Sequence, residues 1–195
     1  MKLKIFKEKY SKKVNKKPVK NRKLVDYKWI ITVTLLAFFI SLIFSLFYEG
    51  VITNANSVVA ITIILLFIGI GIVFDMVGIA ITVADIKTFN SMASKQVKGA
   101  KLAIKLIKNS EKASSFCNDV IGDICGIISG SAGVALANII ATNFNFNLLI
   151  VSLLITAIIA ALTIGGKAMG KATAINKSTL ILFRFSQVIA NFYRK

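Results

Sequence analysis

Two carboxylates lie close together in an otherwise apolar and small-residue stretch of the chain, SFCNDVIGDICGIISGSAG, residues 115–133. Asp119 and Asp123 are four residues apart, so on a helix both side chains project from one face. Ser115 lies one turn earlier on that face, and Asn118 directly precedes the first acid. Carboxylate, amide and hydroxyl oxygens suit a hard cation, and Mg²⁺ in particular binds through one or two carboxylates while keeping several of its waters. The stretch therefore predicts a site for a hydrated divalent ion.

Other kinds of chemistry are poorly supported by the residues present. Histidine is absent, and the two cysteines, Cys117 and Cys125, are eight residues apart. On a continuous helix that is roughly 12 Å, too far for a disulfide. Sites built from imidazole or paired thiolates are thus excluded. The sequence has no phosphate-cradling glycine loop and no nucleophile paired with a base, so we expect neither enzymatic activity nor a prosthetic group.

The composition is typical of an integral membrane protein. The chain has 195 residues, of which 56% are hydrophobic, and yet a formal charge of +17. A soluble domain rarely combines the two, whereas a membrane protein can confine its charge to the aqueous parts. Four segments reach the roughly 20 apolar residues that a bilayer requires, at about 29–49, 58–84, 115–142 and 147–166. The predicted fold is all-α with four transmembrane helices, and Gly165 and Gly166 predict the end of the last one or a bend in it.

The positive charges predict the orientation. The 25 lysines and arginines fall into three blocks, with 12 in residues 1–28, 7 in residues 85–112 and 6 in residues 167–195. The connections YEGVITNANS and TNFNFN contain none. Because cytoplasmic loops carry the excess of Lys and Arg, both termini and the central loop are predicted to be cytoplasmic, in a multi-pass protein of the plasma membrane.

The three basic blocks differ in pattern. The tail, residues 1–28, lacks apolar periodicity, so we expect it to be disordered and either to attract anionic lipid headgroups or to act only as an orientation signal. Nucleic acid is not an expected partner. Segments 86–110 and 172–193 repeat apolar residues at steps of three and four among basic ones. They predict amphipathic helices that form a collar at the inner leaflet, or alternatively, for 86–110, a helical hairpin packed on itself.

A third carboxylate, Asp75, interrupts the second predicted span. In the antiparallel arrangement it lies at a depth comparable to that of Asp119 and Asp123, in the inner half of the membrane, where a carboxylate is costly and needs a reason. Three interpretations stay open. If the third span begins at Ile124, the pair are first-turn acids in the headgroup region, favoured by the helix dipole. Otherwise one protonated carboxyl links two helices, or the acids bind a metal ion or a proton, the last of which would fit proton-coupled transport.

Glycines follow the acids at four-residue spacing. Gly122, Gly126 and Gly130 give the third helix a smooth strip on which another helix could approach closely. The strip predicts tight helix packing and is compatible with a homodimer.

Two blocks of the sequence resemble a known family. FDMVGIAITVADIKTFNSMASKQVKGAKLAIKLIKNSEKASSFCNDVIGDICG looks like the core of the transmembrane domain of the CorB/CorC and cyclin M magnesium and cobalt transporters. In that family a span ends in F-F-S-A-x-E-x-A-L, a basic and alanine-rich amphipathic segment follows, and the next span opens with G-N-N-x-x-N. The last span echoes the family pattern G-E-x-x-P-K-x-x-A-x-x-N through GGKAMGKATAIN. The matching residues are Phe74, Ala80 and Ile81 in the first motif, Asn118, Asp119, Gly122 and Asp123 near the second, and Gly165, Lys171 and Asn176 in the third.

The resemblance covers roughly residues 58–190 and implies a three-span unit with an inward-facing Mg²⁺ site and a dimer. Asp75 falls at the position of the family's serine ligand, and Asn118, Asp119 and Asp123 fall near its asparagines. The extra anchor helix at 29–49 places the amino terminus on the cytoplasmic side, in agreement with the orientation that the distribution of lysines and arginines predicts. Gly78 and Gly166 replace two family glutamates, which implies either relocated charge or a homologue that no longer transports. We expect the cytoplasmic CBS pair of the full-length family to be absent.

The sequence thus favours a divalent cation transporter, or a transport-related membrane protein, for Mg²⁺ or Co²⁺. Asp119 and Asp123 are the predicted principal ligands, with Asp75, Asn118 and Ser115 assisting. The alternative is a non-transporting membrane protein that binds anionic lipid or a partner protein through its basic tail and interfacial helices.

Overall fold

The computed structural model describes residues 27–52 and 56–192, and almost all of these residues are helical. The predicted disorder and lipid attraction of the basic tail concern residues that lie, apart from Tyr27 and Lys28, outside the described ranges. By internal contacts the chain divides into Met1–Thr32 and Val33–Lys195. The packing described below is that of the second unit.

The helices follow one another with short connections. They are α1 Tyr27–Ile52, α2 Ser57–Val83, α3 Ile86–Ser94, α4 Ala100–Lys108, α5 Ser110–Ser115, a π-helix Phe116–Gly122, α6 Asp123–Phe144, α7 Leu148–Asn176 and α8 Ser178–Phe192. Four stretches within them are long and apolar enough to cross a membrane: Tyr27–Leu46, Ser57–Val83, Ser110–Phe144 and Leu148–Asn176. The predicted fold class, all-α with four membrane-length helices, is confirmed.

Asparagine and aspartate side chains define where several helices begin. Asn56 accepts a hydrogen bond from the backbone N–H of Val59, which caps α2, and Asn147 caps α7 through the N–H of Leu149. Asp85 accepts from the N–H of Lys87 at the start of α3. Each side chain satisfies a backbone donor that the first turn of a helix leaves free.

Helix α2 is the central element, and it packs against α6, α7, α8 and the π-helix. Its first half buries aliphatic and small side chains against α6 and α7, in a cluster of Ala60, Ile64, Ile68, Ala132, Leu136 and Ile159. Another cluster joins the π-helix and α6 to one face of α1, with Val120, Ile124 and Ile128 contacting Val33, Ala37 and Ile40. Most of the remaining apolar side chains of α1 are exposed, as suits a helix that faces lipid.

The second half of α2 forms a core with the short helices. Phe89 of α3, Ala103 of α4 and Leu182 of α8 are fully buried there. The other members of this cluster are Val77, Ala80, Ile81, Ala84 and Cys117. Segment 86–110 is therefore a pair of helices whose apolar faces are buried against α2 and α8 as well as against each other, while its lysines are exposed. The amphipathic pattern predicted the helices, and the structure adds the protein surface that covers them.

The connection between α3 and α4 crosses closely over α8. Gly99 has φ of +88°, and a β-carbon there would lie 3.0 Å from the backbone N of Gln187. Only glycine adopts this conformation without strain, and only a residue without a side chain leaves room for the α8 backbone.

Helix α7 does not end at the predicted place. It continues through Gly165 and Gly166 to Asn176, so the predicted helix end at the glycine pair is wrong. A β-carbon on Gly166 would overlap the side chain of Ile72, whereas Gly165 has no atom of another element within 4 Å. Gly166 therefore allows α7 to approach α2, and Lys167 lies inside a continuous helix.

Candidate functional site

The stretch that carries Asn118 and Asp119 is a π-helix within a longer helix. From Ser110 to Phe144 the chain is helical without interruption, and the residues at both junctions of the π-helix have right-handed helical φ and ψ. The free N–H groups of this long helix therefore lie near Ser110, and Asp119 is nine residues further on. The interpretation of the acid pair as first-turn acids at a helix start is wrong for this reason. π-Helical turns are rare and frequently mark functional sites.

The π-helix sets the Asn118 side chain against α2. It contacts Gly78, where an added β-carbon would lie 2.6 Å from the amide carbon of Asn118. The Oδ1 atom of Asn118 is buried and accepts no hydrogen bond from the described part of the chain. Buried amide oxygens almost always have a partner, so this carbonyl is available for a cation or a donor.

Ser115 and Asp119 form a pair on the neighbouring face. The Ser115 hydroxyl donates a hydrogen bond to the Asp119 carboxylate. The Asp119 side chain is exposed, as is that of Asp123, while Ser115 is half-buried. The structure thus joins two of the predicted ligands directly and leaves the carboxylates accessible from outside the helix bundle.

Asp75 lies in the groove between two neighbours of α2. Ile72 and Met76 contact Gly166 and Gly170 of α7, whereas Gly78 contacts Asn118. At about 100° per residue, Asp75 lies about 60° from Ile72 on one side and about 60° from Gly78 on the other. Asp75, which is half-buried, therefore lies on the side of α2 between its contacts with α7 and its contact with Asn118 of the π-helix, a place we call the three-helix junction.

The sequence analysis missed Lys167, which reaches the same junction from α7. The Lys167 ammonium lies 3.7 Å from the point that a β-carbon of Gly122 would occupy. Lys167 is half-buried, whereas every other lysine and arginine whose surroundings are described is exposed. Its place after Gly165 and Gly166 made it look like the first residue of a cytoplasmic block. Only the continuation of α7 shows that it faces the interior.

The predicted metal ligands are only partly gathered. Within residues 27–52 and 56–192, no group of three or more His, Cys, Asp or Glu side chains is close enough to hold a metal ion.

The three glycines of the predicted strip have different surroundings. Gly122 faces Lys167, but Gly126 and Gly130 have no atom of another element within 4 Å of a β-carbon position. The close helix contacts lie at other glycines, which are Gly71, Gly78, Gly133, Gly166 and Gly170. The four-residue spacing alone therefore did not identify the packed face.

The described residues define a class, an all-helical protein with four helices long and apolar enough to cross a membrane. No family model matches the chain, and neither the curated proteins nor the solved structures contain a match.

Proposed function

We propose that this protein transports a divalent cation, Mg²⁺ or Co²⁺, through the three-helix junction. The resemblance of residues 58–190 to the CorB/CorC and cyclin M membrane domain suggested these ions. The packing of Asn118, Asp75 and the π-helix supports a site in the same part of the chain.

The single observation that carries the proposal is the Asn118 carbonyl. Its Oδ1 atom is buried without a hydrogen-bond partner in the described residues. Such an atom costs about 1–3 kcal/mol in a soluble protein, and lipid offers no water to relieve it. A cation that coordinates this oxygen removes the cost. Amide and carboxylate oxygens are the ligands of hard cations such as Mg²⁺, and Asp75, about one turn before Gly78 on α2, would supply a negative charge.

The proposed route begins at the exposed acids. Asp119 and Asp123 are accessible and attract the hydrated ion, and Ser115 holds the Asp119 carboxylate through its hydroxyl. Asn118 and Asp75 are less exposed than these two acids and would replace part of the hydration shell. The distribution of Lys and Arg supports a plasma-membrane protein whose termini and helices α3 to α5 are cytoplasmic, so this entrance would face the cytoplasm.

The orientation has its own test. Single cysteines at Lys98 and at Asn145, in a background without Cys117 and Cys125, should differ in reaction with a membrane-impermeant maleimide added to intact cells. Both positions are exposed. We expect labelling at position 145 and none at position 98 until the membrane is opened. The reverse pattern would mean that the entrance faces outward.

The transport test compares two asparagines of one helix. Asn118→Ala should reduce Mg²⁺ flux into liposomes by about tenfold or more, as loss of groups around a metal commonly does. It should not lower the thermal stability measured without Mg²⁺, because the substitution removes an unsatisfied polar group. Asn138→Ala is the control, since Asn138 is exposed on α6. Asp123→Ala should also stop flux. Full flux in both Asn118→Ala and Asp123→Ala would refute the assigned site.

A non-transporting role remains the second candidate, and the exposed lysines favour it. Lys101, Lys105 and Lys108 project from α4 while the opposite side of that helix, at Ala100 and Ala103, is buried. Such a face suits anionic headgroups, at about 1 kcal/mol for each basic residue near the surface. If lipid binding is the function, replacing these three lysines with Gln should abolish stabilisation by phosphatidylglycerol, and wild-type liposomes should show no Mg²⁺ flux.

A further inference from the structure

Lys167 is a half-buried lysine in the interior of α7, and the proposed transport site does not by itself explain this position. Lysines near helix ends normally extend to the membrane surface, where the ammonium is hydrated. Lys167 instead lies against Gly122 of the π-helix. It makes no salt bridge with the described residues. The fold therefore holds a positive charge, without a salt bridge to a described residue, against the end of the π-helix.

The contacts of α2 put this charge on the same level as the predicted ligands. Gly71 of α2 contacts Cys125, and Gly78 contacts Asn118, so the helix that carries Asn118 and Cys125 runs antiparallel to α2. Ile72 contacts Gly166, and Met76 contacts Gly170, so α7 runs parallel to α2. Along the common direction of α2 and α7, Lys167 is therefore about one residue beyond the level of Ile72. Asp75 is about two residues further along the same direction, which is about 3 Å.

Gly122 is the residue of the π-helix that lies against the ammonium. A β-carbon at position 122 would lie 3.7 Å from the Lys167 nitrogen, which is ordinary van der Waals contact. The neighbouring Gly126 and Gly130 have no comparable neighbour. Of these three glycines, Gly122 is therefore the one that the Lys167 side chain reaches.

We infer that the Lys167 ammonium is a tethered cation that shares the three-helix junction with the transported ion and weakens its binding. This inference rests on the proposed function. When the junction holds no divalent ion, the ammonium balances the charge of Asp75. When an Mg²⁺ ion enters, repulsion between the two cations opposes tight binding. A transport site must bind its ion weakly enough to release it, and a fixed neighbouring charge achieves this.

The inference predicts a divergence between affinity and rate. Lys167→Met should lower the half-saturating Mg²⁺ concentration for flux by about tenfold, because the repulsive charge is gone. Maximal flux should fall as well, since the ion leaves more slowly. Lys167→Arg keeps the charge and should stay near the wild-type affinity. Lys171→Met is the matched control, because Lys171 is one turn away on α7 and exposed.

The measurement is Mg²⁺ flux into proteoliposomes over a range of Mg²⁺ concentrations, together with Mg²⁺-dependent thermal stabilisation of the same variants. A second neutral variant, Lys167→Gln, covers the case in which the methionine variant does not fold. A structural role for Lys167 would lower maximal flux without a gain in affinity, and that result would overturn the inference while leaving the transport proposal in place. If wild-type protein neither transports nor is stabilised by Mg²⁺, the transport proposal fails, and this inference with it.

Discussion

The contact between Gly78 and Asn118 allows the site to be perturbed without changing any predicted ligand. A β-carbon on Gly78 would lie 2.6 Å from the amide carbon and 3.0 Å from the amide nitrogen of Asn118. Gly78→Ala must therefore either strain the packing, at about 1–3 kcal/mol, or turn the amide away from its place. If the amide turns away, the Asn118 oxygen is lost from the junction, and we expect Mg²⁺ flux to fall by about tenfold or more.

The size of the effect on stability needs a reference, because alanine favours a helix over glycine by about 1 kcal/mol. Gly69→Ala provides it, since Gly69 is also in α2 and has no atom of another element within 4 Å of a β-carbon position. The propensity gain is common to both variants and cancels. Gly78→Ala should therefore be less stable than Gly69→Ala by about 1–3 kcal/mol, or about 2–4 °C in Tm for each kcal/mol.

The assay combines thermal unfolding in detergent with flux in liposomes, and the double variant Gly78→Ala/Asn118→Ala separates the two effects. Shortening Asn118 removes the overlap, so stability should return to the level of Gly69→Ala while flux stays low. Equal stability and equal flux in Gly78→Ala and Gly69→Ala would refute the assigned contact. Recovery of flux in the double variant would show that the amide is not a ligand.

Three further substitutions test the fold that positions the site, each by thermal unfolding. Gly99→Ala should lower stability by about 1–2 kcal/mol or more, because its φ is +88° and α8 backbone lies against it, and a smaller loss would contradict that crossing. Gly166→Ala should be less stable than Gly165→Ala, since only the former overlaps Ile72, and equal values would argue against the close approach of α2 and α7. Phe89→Ala should cost about 3–5 kcal/mol, because the ring is fully buried, and a loss below 1 kcal/mol would mean that the apolar face of α3 is not covered.

The long helices could be predicted from the sequence with little error. Their apolar runs exceed the length that a bilayer requires, and neither lysine nor arginine interrupts the connections on one side. Asn56 and Asn147, where α2 and α7 begin, are also local signals, because a capping side chain acts on its own first turn. These features depend on residues near one another in the chain.

The arrangement of the site was less predictable. The acids of the SFCNDVIGDICG stretch could be singled out in the sequence, but whether they begin a helix depended on where the preceding helix starts. Glycine spacing favoured Gly126 and Gly130 as contacts, and the structure uses Gly78 and Gly166 instead. A glycine on a helix can face lipid, a neighbouring helix or open space. Which of these it faces depends on the residues packed against it, and the spacing of glycines in the sequence does not show this.

The sequence by itself determined the helical class, the four membrane-length helices and the presence of polar residues inside them, because length, hydropathy and charge act locally. Tertiary structure decided which polar groups meet. Asn118 faces Gly78 because a π-helix places it against α2, and Lys167 enters the junction because α7 continues past Gly166 at close range. Both depend on the rotation and separation of packed helices, which are fixed by contacts between residues more than 30 positions apart in the chain.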